Sequence, residues 1–433
     1  MAFASSESLA SSRRFRRQSL VTYPKNMGAV VVFCSFTALA LGPGLLNAYG
    51  VYEEEYSRLF DNKDEIDQSS ALGSPVIFVG IIQILLANGM GFIGGQCAQR
   101  FGPGPSVFGG GILMSLGLFA ASYARHVWQL CLTQGLIFGL GVCLTWIPAA
   151  SAPSSWFEKN RGLATGITHM GLGIGGLVFS PLTRFLLEKA GTSGSLRWLA
   201  LIILVGVTVT SLGIHSRRHS QRTNEIIMSS TRWSRISVMR SWRFWLLSLG
   251  VGFGQAGWYI MLLFMTSISV SVGLDVSNAA MILGAINGAS AVGQFLAGYA
   301  ADLIGPINAL VLFTFLATLS NTILFLPHLS FHLLIVYACL CGASIGASDP
   351  LAVIAGVTQF GRARAASTTG LVYGSVGAMV LVMAPNARVL LQRLGHGSNF
   401  VPVYLLVVLL FAMSTFMLIV LRLRISRKVH TRI

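Results

Sequence analysis

GQCAQRFGP at residues 95–103 returns as GYAADLIGP at residues 298–306, with Gly95, Gln99, Gly102 and Pro103 matched by Gly298, Asp302, Gly305 and Pro306 at an offset of 203. TGITHMGLGIGGLVFSP at 165–181 and TGLVYGSVGAMVLVMAP at 369–385 agree at an offset of 204, aligning Gly166, Gly173 and Pro181 with Gly370, Gly377 and Pro385. Near-equal offsets at such distant points mark a duplication. In a membrane chain, a duplication of this length points to a transporter built from two halves.

The membrane assignment rests on composition: 54% hydrophobic residues, 10% charged residues and a mean hydropathy of +0.70 over 433 residues. Apolar runs of roughly 20 residues recur, each long enough to cross about 30 Å of hydrocarbon as a helix. The runs are continuously apolar, without the period-two alternation of a membrane barrel. Twelve spans are expected, six per repeat, starting near Gly28, Pro75, Ser106, Val127, Gly162, Trp198, Phe244, Asn278, Pro306, His332, Ala365 and Phe400. The expected organisation is a tail over 1–26, a six-helix bundle over 27–215, a basic linker over 216–242, a second six-helix bundle over 243–422 and a short tail over 423–433.

Charge orients the spans. If both termini share one side, that side holds 22 of the 30 Lys and Arg residues, and the other side holds nine of the fourteen carboxylates, including Glu53, Glu54 and Glu55 in an acidic first loop. The termini and the linker are therefore expected in the cytoplasm, with the plasma membrane as the expected location. The net charge of +16 is mostly this topology signal, since the basic residues are dispersed over separate membrane-facing loops and form no nucleic-acid patch. The Ser- and Arg-rich first 26 residues show no apolar segment with a small-residue cleavage site, and read as a cytoplasmic tail.

Other chemistries find little support. Cys34, Cys97, Cys131, Cys143, Cys339 and Cys341 show no metal-ligand or disulfide-framework spacing. GLGIGG at 171–176 lies inside an apolar span, where glycines serve close helix packing, and not a dinucleotide. No G-x-x-x-x-G-K-[ST] loop, HExxH or paired carboxylates appear. No enzyme activity, metal or cofactor is expected.

The turn Gly95-x-x-x-Gln99-Arg100-x-Gly102 resembles the major facilitator superfamily signature G-x-x-x-D-R-x-G, repeated in part at Gly298-x-x-x-Asp302. WFEKNRGLATGITHMGLGIGG, Trp156 to Gly176, is similar to the fifth-span signature of the monocarboxylate transporter family, and NAYGVYEEEY, Asn47 to Tyr56, resembles fungal members at the end of the first span. The likeness covers residues 24 to 425. It implies an all-α major facilitator fold moving a monocarboxylate or related organic solute by alternating access, and the fungal likeness implies export.

The chain also departs from that family. The first span opens on Pro24-Lys25-Asn26-Met27-Gly28-Ala29 where members carry an acidic-Gly-Gly-aromatic-Gly-Trp stretch. Motif matching puts Leu46 or Asn47, Ser290 and Gln294 where the animal lactate carriers hold Lys, Asp and Arg, so a proton–lactate symporter is a poor fit. Gln99 stands in place of the first signature's Asp, and Leu303 follows Asp302 in place of a base.

What remains within the spans is polar and nearly uncharged. Candidates to contact substrate are Asn47, Tyr49, Gln134, His169, Trp258, Tyr259, Asn287, Gln294 and Tyr373, together with Gln255; each can instead bridge helices. Gating or coupling candidates are Gln99, Arg100, Arg161, Asp302, Asp349 and Arg362. Asp349, the one carboxylate expected within a span, is expected late in the tenth, near the cytoplasmic end and within reach of Arg362 or Arg364. Arg184 and Arg388 are expected at the outer rim. The substrate class is a partly apolar organic molecule, with a weak acid moved together with protons as one form of it. The alternative is a transport-dead sensor of the same fold. The sequence implies no oligomeric state.

Overall fold

The computed structural model describes residues 26–60, 76–157, 159–215, 238–325, 330–361, 364–395 and 399–426, and these are helical throughout, joined by short turns. Nine of their helices are long and apolar enough to cross a membrane, or ten when a pair bent by 43° counts as one span. Gly191, at φ 67°, divides the 53-residue helix Arg161–Gly213 into two, and Pro306–Asn321 is a shorter apolar helix. The resulting twelve are α1 (Met27–Phe60), α2 (Ile77–Gly89 and Gly91–Arg100), α3 (Pro103–Ala121), α4 (Val127–Ser155), α5 (161–190), α6 (192–213), α7 (Trp242–Ser271), α8 (Val276–Ile304), α9 (Pro306–Asn321), α10 (Phe331–Phe360), α11 (Ala365–Arg393) and α12 (Val401–Ile425). Most of the two tails, most of the basic linker, and Arg362 between α10 and α11 lie outside the described residues.

The duplicated turns show why the sequence repeats there. Gly102 and Gly305 hold φ of 94° and 91°, a region that disfavours any side chain, and each is followed by a proline in the first turn of the next helix. The chain thereby reverses between α2 and α3, and between α8 and α9, in one residue. Trp198, the expected start of the sixth span, lies inside α6, because Gly191 supplies the break seven residues earlier.

The glycine-rich stretch of α5 packs as the sequence suggests, and on two sides at once. A Cβ on Gly175 would stand 2.8 Å from the Cα atoms of Ala40 and Gly44 on α1, while one on Gly173 would stand 2.7 Å from Asn287 O on α8. In hydrocarbon, helix association depends on such close contact, since lipid tails are as apolar as leucine side chains.

The acidic first loop differs from expectation. Helix α1 breaks at Gly42 and Ala48 but resumes as Tyr49–Phe60, so Glu53, Glu54 and Glu55 ride on a helix. Tyr52 and Tyr56 anchor this extension: Tyr52 OH and Ser195 Oγ lie 2.6 Å apart, Tyr56 OH donates to Gln134 Oε1 at 2.6 Å, and the two rings stack with centroids 5.5 Å apart. Two buried hydroxyl hydrogen bonds and one ring stack hold the extension in place, with Glu54 alone of the three glutamates exposed.

Replacing Gly175 by Val should overpack the α1–α5 contact at a cost of about 1–3 kcal/mol. The expected result is a melting temperature several degrees lower for the detergent-solubilised protein, whereas Gly284→Ala, where a Cβ meets nothing within 4 Å, should leave it unchanged.

Candidate functional site

The two halves, α1–α6 and α7–α12, meet along two principal seams, α2 against α11 and α5 against α8, with α4 also touching α10 and α11. Both seams are lined by the duplicated glycines. On the first, a Cβ on Gly91 would lie 2.7 Å from Gly370 O, and one on Gly95 would lie 2.5 Å from Ala366 O. On the second, a Cβ on Gly166 would lie 2.6 Å from Gln294 O. Toward the opposite end the second seam loosens: Gly288 reaches only Leu177 at 3.7 Å, and Gly284 meets nothing. The halves are therefore closed from the middle to the end that carries Asn26 and Ser426, the more basic end.

Asp302 fastens that end. Its Oδ1 accepts from Gly162 N and its Oδ2 from Leu163 N, both at 2.8 Å. A carboxylate from α8 thus caps the first turn of α5, where unpaired amides and the helix dipole favour negative charge. The duplicate position, Gln99 on α2, is exposed, as is Arg100, which lies over Phe101 with its guanidinium 5.4 Å from the ring centre. Among the described residues, only one of the two seams is thus fastened by a charge. Arg161 sits beside the latch, with Nε donating to Phe157 O at 3.4 Å.

Midway along the seams lies a polar cluster contributed by both halves. Helix α10 breaks at Ala347, between Gly346 and the Ser348-Asp349-Pro350 start of its second segment. Asp349 Oδ1 accepts from Gln255 Nε2 at 2.7 Å and from Tyr373 OH at 3.0 Å, and Gln255 Nε2 also reaches Ser348 Oγ at 2.9 Å. From the other half, Asn88 Nδ2 donates to Tyr259 OH at 3.2 Å, and the Trp146 ring lies against Tyr373 with centroids 4.7 Å apart. Asn88 immediately precedes the bend in α2, and Trp146 precedes Pro148 in α4. Interrupted helices, α2 and α10, thus supply two of the cluster's walls, the arrangement expected where backbone at membrane depth lines a site.

Asp349 corrects an expectation. It is not near the basic end beside Arg364 but in mid-span, because α10 runs on past it to Phe360, and its side chain bonds between α7 and α11. Its side chain pairs with no cation among the described residues.

Several candidates converge here and others do not. Tyr259, Tyr373 and Gln255 form the cluster, and Trp258 is buried beside them on α7. His169, Asn287 and Gln294 line the α5–α8 seam. His169 Nδ1 is 2.9 Å from Thr165 O, and its Nε2 finds no partner; Asn287 Oδ1 and Gln294 Oε1 are likewise buried and unpartnered. Trp146 Nε1, Asn88 Oδ1, Thr368 Oγ1 and Thr369 Oγ1 share that condition. Asn47 is half-buried at the α1 break. Gln134 and Tyr49 leave the candidate site: Gln134 is bound to Tyr56 within the first half, on a π-helical turn, and Tyr49 OH donates to Val76 O at 3.0 Å. Both face partners inside one half because the α1 extension packs against α2 and α4. Arg184 is exposed and pairs with Glu188 at 3.6 Å and Glu54 at 3.9 Å, as rim charges should.

Sequence reasoning missed Asn88 and Trp146. The duplication held a signal, since Trp146 and His169 sit 203 and 204 residues before Asp349 and Tyr373, the same offsets that relate the halves.

A profile of the Major Facilitator Superfamily matches residues 27–385. The chain belongs to the Major Facilitator Superfamily. It is 28% identical over 368 residues to the fujikurins efflux protein of Gibberella fujikuroi, covering 84% of this chain and 75% of that one. It is 26% identical over 384 residues to the MFS transporter asaE of Aspergillus flavus, covering 87% and 81%. The fold also matches the E. coli fucose:proton symporter, with a TM-score of 0.68, 14% identity and coverage of 91% of this chain and 98% of that one. This member of the superfamily is thus a multi-pass membrane transporter of small organic solutes, and its two halves and their seams are the parts that alternating access requires.

Asp302→Asn keeps the shape of the latch and removes its charge, weakening it by about 1–2 kcal/mol. Maleimide labelling of Gln294→Cys from the basic end should accelerate roughly fivefold to thirtyfold in that background.

Proposed function

We propose that this transporter exports a partly apolar, weakly acidic specialised metabolite, and that it is of the monocarboxylate-porter type named by its fifth-span motif. The observation that carries the reading is the mid-seam cluster. Trp146 and Tyr373, from opposite halves, form an aromatic wall, ringed by buried and unpartnered polar atoms on α2, α4, α5, α8 and α11. Leaving such atoms unsatisfied costs about 1–3 kcal/mol each, so a ligand that engages them gains what the empty seam lacks.

The chemistry selects the substrate. Trp146 Nε1 offers a donor, while Asn88 Oδ1, Asn287 Oδ1 and Gln294 Oε1 offer acceptors, against rings that favour a flat conjugated skeleton. A molecule with an enol, phenol or carboxylic acid on such a skeleton matches this set. A small hydrophilic monocarboxylate matches it less well, because no described Lys or Arg faces the cluster. Export draws support from relatives named as efflux proteins for fujikurins and for agnestins. The charge distribution supports cytoplasmic termini, with the plasma membrane as the default location and the Asp302 latch closing the cytoplasmic side in this conformation.

Gln294, Asn287 and His169 are proposed to contact substrate together with Asn88, Trp146, Tyr259 and Tyr373, with Trp258 and Asn47 at the margins. Asp302, Arg161 and Arg100 serve the inner gate beside Gln99, and Arg362 belongs to the same face in the sequence.

Metabolite profiling of cells and medium, with the gene deleted and restored, tests the reading. An acidic conjugated compound should build up inside the deletant and leave when the gene returns. Trp146→Ala should then raise the KM for that compound about 5- to 150-fold, the loss of one aromatic contact and one hydrogen bond at about 1–3 kcal/mol together. Unchanged metabolites with the protein correctly inserted would contradict export.

A further inference from the structure

We infer that Asp349 is the proton-carrying group of this transporter, cycling between carboxylate and carboxylic acid at the centre of the bundle, and that Tyr373 links its charge state to the seam between the halves.

The first argument is location. Asp349 is buried at the break of α10, and all its hydrogen bonds come from neutral donors. No Lys, Arg or His among the described residues pairs with it. An ionised carboxylate at membrane depth without a counter-charge is held at a cost of several kcal/mol, and two neutral donors offset only part of it. A group in that position is readily discharged by one proton, and a purely structural acceptor would be served equally well by Asn.

The second argument is asymmetry within the carboxylate. Oδ1 accepts both hydrogen bonds, from Gln255 and Tyr373, while Oδ2 accepts none. A proton arriving at the carboxylate therefore bonds to Oδ2, turning carboxylate to carboxylic acid and adding one positive charge to the site. No other bond breaks, and both Oδ1 contacts can persist. Release of the same proton restores the carboxylate.

The third argument is connection. Tyr373 donates to Asp349 and lies face-near to Trp146 of the other half, and Tyr259, within electrostatic reach of Asp349, accepts from Asn88 of the other half. Discharging Asp349 weakens what holds Tyr373 OH in place, and so loosens two of the contacts that join the halves at mid-depth. Of the titratable side chains around Asp349, Tyr373 bonds to it directly and Tyr259 lies within its electrostatic reach. On the other packing helices, His169 of α5 bonds to its own backbone, Cys143 of α4 to Met90 O, Cys341 of α10 to Tyr337, and Asp302 of α8 caps α5 at the basic end.

This inference rests on the transporter reading for its purpose but not for its test. The experiment is infrared difference spectroscopy on the full-length protein in lipid, stepped from about pH 8 to about pH 5 with no ligand present. A protonated-carboxyl C=O band should grow as pH falls. The component owed to Asp349 should be lost in Asp349→Asn and retained in Glu53→Gln, while the other carboxylates supply the remainder of the band in every variant. Tyr373→Phe should keep the band and move it to higher frequency, since a C=O group that loses a donor stiffens. That variant also decides the matter if Asp349→Asn fails to fold. An unchanged band in Asp349→Asn, or one insensitive to Tyr373→Phe, overturns the proposal. A band that behaves as stated alongside unaltered metabolite export in the deletant would leave the proton site standing and sink the export reading alone.

Discussion

The halves touch backbone to backbone at the α2–α11 and α5–α8 seams, and that closeness decides the rest of the molecule. Lipid offers helices no hydrophobic reward for association, so contact must come from shape, and glycine permits the closest shape. Gly166, Gly173 and Gly298 bring α5 within reach of the Asp302 carboxylate; Gly89, Gly91, Gly370 and Gly377 draw α2 onto α11. A seam of this kind holds without interlocking side chains and can part as a surface. Charge is then needed only at its end, where Asp302 supplies it, and polar groups only at its middle, where substrate would replace the contacts that are lost.

The broken helices follow from the same constraint. A continuous helix presents only side chains to a seam, whereas α1, α2 and α10 each break at mid-depth around a glycine or proline. The break in α10 aims Asp349 between α7 and α11, and the bend in α2 brings Asn88 to Tyr259. With Gln99 exposed on the other side, the inner closure is lopsided: one seam is held by a charged cap and the other by packing. Opening toward the basic end then requires release of Asp302 from the α5 amides, while the α2–α11 seam can part on looser terms.

Much of the fold was legible in the chain itself. Repeat offsets, apolar runs and the Gly-Pro turns gave twelve helices in two halves, because these features are local or periodic. The site was legible only in part. His169, Asn287, Gln294, Tyr259 and Tyr373 stood out as polar residues in apolar runs, and all reach the seams. Gln134 and Tyr49 stood out equally but are satisfied by Tyr56 and the Val76 carbonyl, since a polar residue in a span does not announce which neighbour it meets. Trp146 does not stand out beside Trp258, because nothing local to its span shows that it lies across from Tyr373 with an unpartnered Nε1. Asp349 is expected too close to the basic end because the apolar run does not show that α10 continues past it to Phe360.

The most direct test of the account is a pair of electron-spin distances in the lipid-reconstituted protein. Labels at Phe101 and Leu303 report the basic end, and labels at Lys189 and Leu394 report the other; all four positions are exposed. If the halves rock about the mid-seam site, conditions that lengthen the first distance must shorten the second, with Asp302→Asn moving the population toward the longer first distance. Two distances that stay fixed, or that lengthen together, would contradict it.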